Sequence, residues 1–260
     1  MKKTPITKGF TLAEVLITLG VIGIVAALTI PTIMNYTFEK QSVSAAKKTY
    51  ATLSSAVASY QLDNNCVGDS ASCPSMGPGG PWSSAGTVAS ELAKYLKVAD
   101  SSVSNPAGND GTVLSWIPQK AYSYNGGNRA STGDIYPVVG PNQAAGYIRL
   151  SDGTIIMVSV AASDAGHNYH IAFDVNGVKG PNRLGKDQFV TSFYSKTHKS
   201  FNPYAAGGAG SCGWNIDMCW DSGAAGCDPC NADDGLSPLA YVLAHDKLPD
   251  LKKMGFPSAP

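Results

Sequence analysis

The run from Phe10 to Ile30, FTLAEVLITLGVIGIVAALTI, constrains this chain more than any other stretch. It is 21 residues long and carries a single charge, Glu14. As a helix it spans about 32 Å, enough to cross the hydrocarbon core of a bilayer. Lys2, Lys3 and Lys8 precede it, and no acidic residue does. By the positive-inside rule these lysines hold the N-terminus in the cytoplasm and put the rest of the chain on the far side of the membrane. A secretory signal peptide shares the basic start but has a shorter apolar core, closed by a small-residue cleavage site. Here the apolar run is longer and passes into a helical pattern without a polar break, although Ala26-Ala27-Leu28 imitates such a site.

Glu14 is the informative residue of the run. A carboxylate inside hydrocarbon costs about 3 kcal/mol on insertion scales, so it calls for a partner in the working state. A cut between Gly9 and Phe10 creates a new α-amino group four residues away, positive near neutral pH. Within one helix, Phe10 and Glu14 stand one turn apart. Between adjacent helices, the amine of one chain can meet Glu14 of the next. Low dielectric makes that pairing strong and makes its absence costly, so the charge would set the axial stagger of neighbours.

The stretch Lys8-Gly9-Phe10-Thr11-Leu12-Ala13-Glu14 resembles the N-terminal signal of type IV prepilins and type II secretion pseudopilins. That family has a short basic leader ending in Gly, then Phe, then Glu as fifth residue of the mature chain. Pro31 stands where these proteins carry a helix proline. The match covers about residues 1–62. It implies cleavage after Gly9 by a prepilin peptidase, N-methylation of Phe10, and assembly through Glu14 and the Pro31 region. The implied partners are homologous pilin or pseudopilin subunits, the prepilin peptidase/methyltransferase, an inner-membrane assembly platform, and the lipid bilayer before assembly. The implied location is the inner (cytoplasmic) membrane, crossed once, followed by a periplasmic or cell-surface filament.

Pro31 lacks an N–H and clashes with the preceding turn, which predicts a kink or local melting there. Gly20 and Gly23 lower helix propensity further. Beyond Pro31, Val43, Ala46, Tyr50, Leu53, Val57 and Tyr60 recur at spacings of three and four, one apolar stripe of an amphipathic helix. The helix is expected from Phe10 to Leu62, with Asp63-Asn64-Asn65 ending it.

Residues 63–145 read as irregular apart from one helix, Thr87 to Lys97, with Thr87 as its cap. A sheet follows. Tyr147–Leu150, a Ser-Asp-Gly turn and Thr154–Val160 form a hairpin; His170–Val175 is a third strand leading to an Asn176-Gly177 turn; Phe189–Tyr194 is a fourth. Ser237-Pro238 opens a short helix to about Leu248. The fold class is therefore α+β: a long N-terminal helix, transmembrane in its first half, packed on an antiparallel sheet. The organisation is leader 1–9, helix 10–62 and a globular domain 63–260.

The chain has 28 glycines and 16 prolines, and charged residues make up 15 %. That composition suits a loop-rich exported domain better than a helical bundle. Without the leader, sixteen basic residues face nineteen acidic ones. Nucleic-acid binding is thus not indicated. Cys66, Cys73, Cys212, Cys219, Cys227 and Cys230 lie in Gly-rich loops and read as disulfides of an oxidising compartment. Six cysteines allow 15 pairings, of which the local pair Cys66–Cys73 is the simplest. Cys227-Asp-Pro-Cys230 has redox spacing, and with Cys212 and Cys219 it has the ligand types of a zinc site. No βαβ pattern surrounds it, and structural disulfides are the reading carried forward. A disulfide-bounded C-terminal loop resembles the D-region of type IV pilins, with four cysteines here in place of two.

In DVNGVKGPNRLGKD, the oxygen side chains of Asp174, Asn176, Asn182 and Asp187 are spaced along a tight loop, as calcium ligands can be. No glutamate closes the stretch as in an EF-hand, and Asn-Gly turn chemistry with a proline-bearing loop accounts for the same residues. Beyond that calcium candidate no cofactor is expected. The four histidines form no metal-ligand motif, and there is no nucleophile elbow, phosphate loop or dinucleotide fingerprint. The expectation is a structural filament subunit and not an enzyme. The competing use is a membrane-tethered binding module or enzyme that works as a monomer. Glu14 separates the two, since a plain tether gains nothing from it.

Overall fold

A computed structural model of the chain describes residues 9, 11–67, 85–104, 145–163, 166–183, 185–194 and 238–248. Within them the element order is α1 (Leu12–Asp63), α2 (Ala85–Ala93), β1 (Val98–Ser104), β2 (Ala145–Leu150), β3 (Ile155–Ser163), β4 (Gly166–Asp174), β5 (Gln188–Tyr194) and α3 (Pro238–His245). The five strands form one sheet in the order β1-β2-β3-β4-β5, each antiparallel to its neighbours. A long N-terminal helix with an antiparallel sheet is an α+β arrangement, as expected. The chain divides into two compact units, 1–41 and 42–260.

In the first unit, α1 starts at Leu12 and runs on through Pro31 without interruption. The local melting expected at that proline is absent. Proline removes one intrahelical hydrogen bond, and the remaining bonds of a 52-residue helix carry the backbone past it.

In the second unit, residues 42–63 of α1 bury Val43, Ala46, Leu53, Val57 and Tyr60, with Tyr50 partly buried beside them. This is the stripe read from the sequence. The helix ends in a left-handed cap. Asn65 has φ of 54°, Asn65 N donates to Leu62 O (3.2 Å) and Cys66 N donates to Gln61 O (2.9 Å). That pair of bonds is a Schellman motif, with asparagine taking the place of the usual glycine.

The sheet sends alternate residues into one core. Ile148 and Leu150 of β2, Ile156 and Val158 of β3, Ile171 and Phe173 of β4 and Phe189 of β5 join the α1 stripe, Val88 and Leu92 of α2, and Leu239 and Val242 of α3. Register stacks them across strands: Ile148 opposes Ile156, Ile156 opposes Phe173, and Phe173 opposes Phe189. The Phe173 and Phe189 rings lie 5.7 Å apart. Full burial of each such side chain contributes about 1.5–3 kcal/mol.

Three elements depart from expectation. β1 lies within the stretch read as irregular; its Val-Ala-Asp-Ser-Ser-Val-Ser sequence is too polar to announce a strand, and its pairing with β2 creates one. The helix expected over Thr87–Lys97 is Ala85–Ala93, so Thr87 is internal to it and not a cap. The next three amides, of Lys94, Tyr95 and Leu96, bond three residues back, which tightens the chain into a turn before β1. α3 likewise stops at His245, three residues short of the expected end.

Candidate functional site

The first candidate is the N-terminal part of α1. From Leu12 to Met34 its large apolar side chains are exposed, among them Leu12 (77 %), Ile17 (67 %) and Leu28 (73 %). The helix is long and apolar enough to cross a membrane. Gly20 and Gly23 sit inside it, and a Cβ at either would meet nothing within 4 Å. Helix-interior glycine costs about 1 kcal/mol relative to alanine, and no contact among the described residues requires it here.

Glu14 is held at the start of this helix. Its Oε2 accepts from Thr11 N and from Thr11 Oγ1, both at 2.8 Å, while Glu14 N donates to Thr11 Oγ1 at 3.2 Å. Thr11 is the N-cap and Glu14 the third helical residue, so the two form a capping box and satisfy two of the helix's free N–H groups. Sequence reasoning assigned Thr11 no role, although the Thr-x-x-Glu spacing carried the signal. Gly9 is exposed. Phe10, the residue expected to be methylated, lies outside the described residues, as do Cys73, Cys212, Cys219, Cys227 and Cys230. Cys66 is buried, directly after the cap of α1.

The second candidate is the loop from β4 to β5, which brings together all four residues proposed as calcium ligands. Asp174 ends β4 and Asp187 immediately precedes β5; both are fully buried. Asp187 Oδ2 accepts from Asn182 N (2.8 Å) and Asn176 Nδ2 (3.2 Å), and its Oδ1 accepts from Arg183 N (2.7 Å). Asp174 Oδ1 accepts from Asn176 N (3.1 Å), and its Oδ2 accepts from Gln188 Nε2 (2.9 Å). Gln188, fully buried, is the member that sequence reasoning missed, because a glutamine opening a strand looks like a solvent-facing residue. Burial first, and then the neighbouring Asp187 charge, push Asp174 up to about 8. Burial also raises Asp187. Gly177 (φ 68°) and Asn182 (φ 50°) take the left-handed conformations that fold the loop back on itself.

A groove of about 600 Å³ forms a third feature, lined by Lys48, Thr52 and Ser55 of α1, by Tyr95 and Lys97, and by the β2–β3 turn at Asp152. Several of its polar groups are already committed. Lys48 Nζ pairs with Asp152 Oδ2 at 2.7 Å, and Tyr95 Oη donates to Asp63 Oδ2 at 2.8 Å.

No protein-family model, no curated protein and no solved structure matches the chain.

Proposed function

We propose that this chain is a structural subunit of a type IV pilin-like filament, a pilus or a type II secretion pseudopilus, assembled through the first part of α1. One observation carries this reading: an apolar helix surface left uncovered among the described residues is combined with a single carboxylate near its start. An anchor needs the apolar surface alone. The carboxylate finds its use when neighbouring helices bundle and a cationic amine approaches.

In the precursor, Thr11 occupies Oε2 of Glu14 and keeps the helix start capped. Prepilin peptidase then cuts after Gly9 and the Phe10 amine is methylated. That amine adjoins the Thr11–Glu14 box and is the cation nearest in sequence to the carboxylate. Subunits leave the inner membrane sideways onto the assembly platform, and Glu14 of one pairs with the Phe10 amine of the next. Gly20, Gly23 and Ala27, spaced three and four apart, lie on one helix face and permit close approach of a second helix. The cysteines serve as structural disulfides on the exported side; in support, Cys66 is buried directly after the cap of α1.

Paired substitutions at Glu14 test the reading, because glutamine keeps the capping box while losing the charge. Glu14→Gln and Glu14→Ala are both expected to be cleaved and inserted, and both to be absent from filaments sheared off cells that assemble the wild type. Normal incorporation of Glu14→Gln would reduce Glu14 to a helix cap. The chain would then be a membrane-tethered binding module, for which the groove at Lys48, Tyr95 and Lys97 is the natural ligand site.

A further inference from the structure

We propose that residues 15–34 of α1 fill the hydrocarbon core of the bilayer, so that Glu14 stays in one headgroup layer while Tyr36 and Lys40 engage phospholipid headgroups in the other. Between Glu14 and Glu39 the chain carries no charged side chain. Its polar side chains there are Thr18, Thr29 and Thr32, then Asn35, Tyr36 and Thr37 in a row. Thr18 Oγ1 donates to Val15 O at 3.0 Å and Thr29 Oγ1 to Val25 O at 2.9 Å, so neither hydroxyl donor is left unmet in lipid. Thr32 stands within one turn of Asn35, the first amide or charge after Glu14. At 1.5 Å per residue the stretch between Glu14 and Asn35 measures about 30 Å, the thickness of a hydrocarbon core.

Both ends carry side chains suited to a boundary. Tyr36 is exposed, and Lys40 follows one turn later with its Nζ 5.9 Å from the Tyr36 ring centroid. Side chains on a helix lean towards its N-terminus, so this ammonium turns back from the water side to the level of the ring, where lipid phosphates lie. At the other end Thr11 bonds to Oε2 of Glu14, and Oε1 accepts nothing among the described residues, open to headgroup water. The apolar run 10–30 taken alone would centre on Gly20, with Glu14 ~9 Å from the midplane and Tyr36 ~24 Å from it, in water. The placement proposed here centres between Ile24 and Val25, with Glu14 ~16 Å and Tyr36 ~17 Å out. The first buries a charge in lipid and strands the Tyr36 and Lys40 pair; the second does neither. Glu14 then meets a low dielectric only when the helix leaves lipid. This placement rests on the helix crossing a bilayer and is independent of whether the chain polymerises.

Tryptophan scanning tests it, with the full-length chain, leader included, in phosphatidylcholine vesicles brominated either near the headgroup or near the acyl-chain end. Leu16 and Ile33 are both exposed, so each accepts a tryptophan. Quenching is read as the increment over the wild type, which subtracts the native tryptophans. Leu16→Trp and Ile33→Trp both lie ~13 Å from the proposed midplane, on opposite sides, and are expected to show the same ratio of shallow to deep quenching. Tyr36→Trp is expected to be quenched by the shallow bromines alone. With the centre at Gly20, Leu16→Trp would lie ~6 Å from the midplane and Ile33→Trp ~20 Å. A deep-quenched Leu16→Trp beside a weakly quenched Ile33→Trp, or a Tyr36→Trp that neither lipid quenches, overturns the placement while leaving the membrane span intact. Loss of quenching at all three positions would overturn the span as well.

Discussion

Single side chains in this molecule often hold two readings that geometry separates. Glu14 is a buried-charge problem when read along the sequence and a capping residue when read in space, where Thr11 donates twice to its carboxylate. Gly177 is similar. In the sequence it belongs to an Asn-Gly turn, which glycine shares with other small polar residues. In the structure it has φ of 68°, and a Cβ there would stand 2.9 Å from the main-chain oxygen of Gly153. The left-handed conformation alone costs a non-glycine residue roughly 1–2 kcal/mol, and a clash with backbone cannot be relieved by a rotamer change. Gly177→Ala is therefore expected to destabilise the full chain by about 2 kcal/mol or more in urea unfolding. An unchanged midpoint would mean that the β2–β3 and β4–β5 turns do not approach each other as described.

At the scale of elements, α1 is one helix with two surfaces. Residues 42–63 show a stripe with a polar opposite face, and the buried set Val43, Ala46, Leu53, Val57 and Tyr60 was legible because helical periodicity survives in sequence. The earlier part is apolar on all sides, and such a segment needs lipid or other helices around it. If the Gly23 face packs against a neighbouring subunit, Gly23→Leu stabilises the isolated helix by about 1 kcal/mol yet lowers the yield of sheared filament several-fold. Filament yield equal to wild type would place the subunit contact on another face. β1 marks the opposite limit of legibility. Its polar sequence has no strand signature, and its conformation comes from hydrogen bonds to β2 alone.

For the whole molecule, the expected sequence of events begins with a cut. Mass spectrometry of the chain recovered from membranes of cells with an active prepilin peptidase should find a mature N-terminus at Phe10 carrying one methyl group. A mature chain starting after Ala27, as a secretory cleavage would leave it, would remove the membrane helix and with it the filament reading. The balanced charge belongs to this scale too, because nineteen basic residues against nineteen acidic ones give the molecule no general attraction for polyanions.

What the sequence determined by itself is whatever depends on local order: the membrane-length apolar run, the stripe on α1, the hairpin turns and most strands. These follow from hydrophobic period and turn chemistry, which act between residues near one another in the chain. What only the tertiary structure decided are the events between distant residues. The polar β1 became a strand by pairing with a partner some fifty residues away, and Gln188 came to rest against Asp174. The spacing of Asp174, Asn176, Asn182 and Asp187 named a loop. Whether their oxygens converge or disperse depends on left-handed residues folding that loop back on itself, and no periodicity records this.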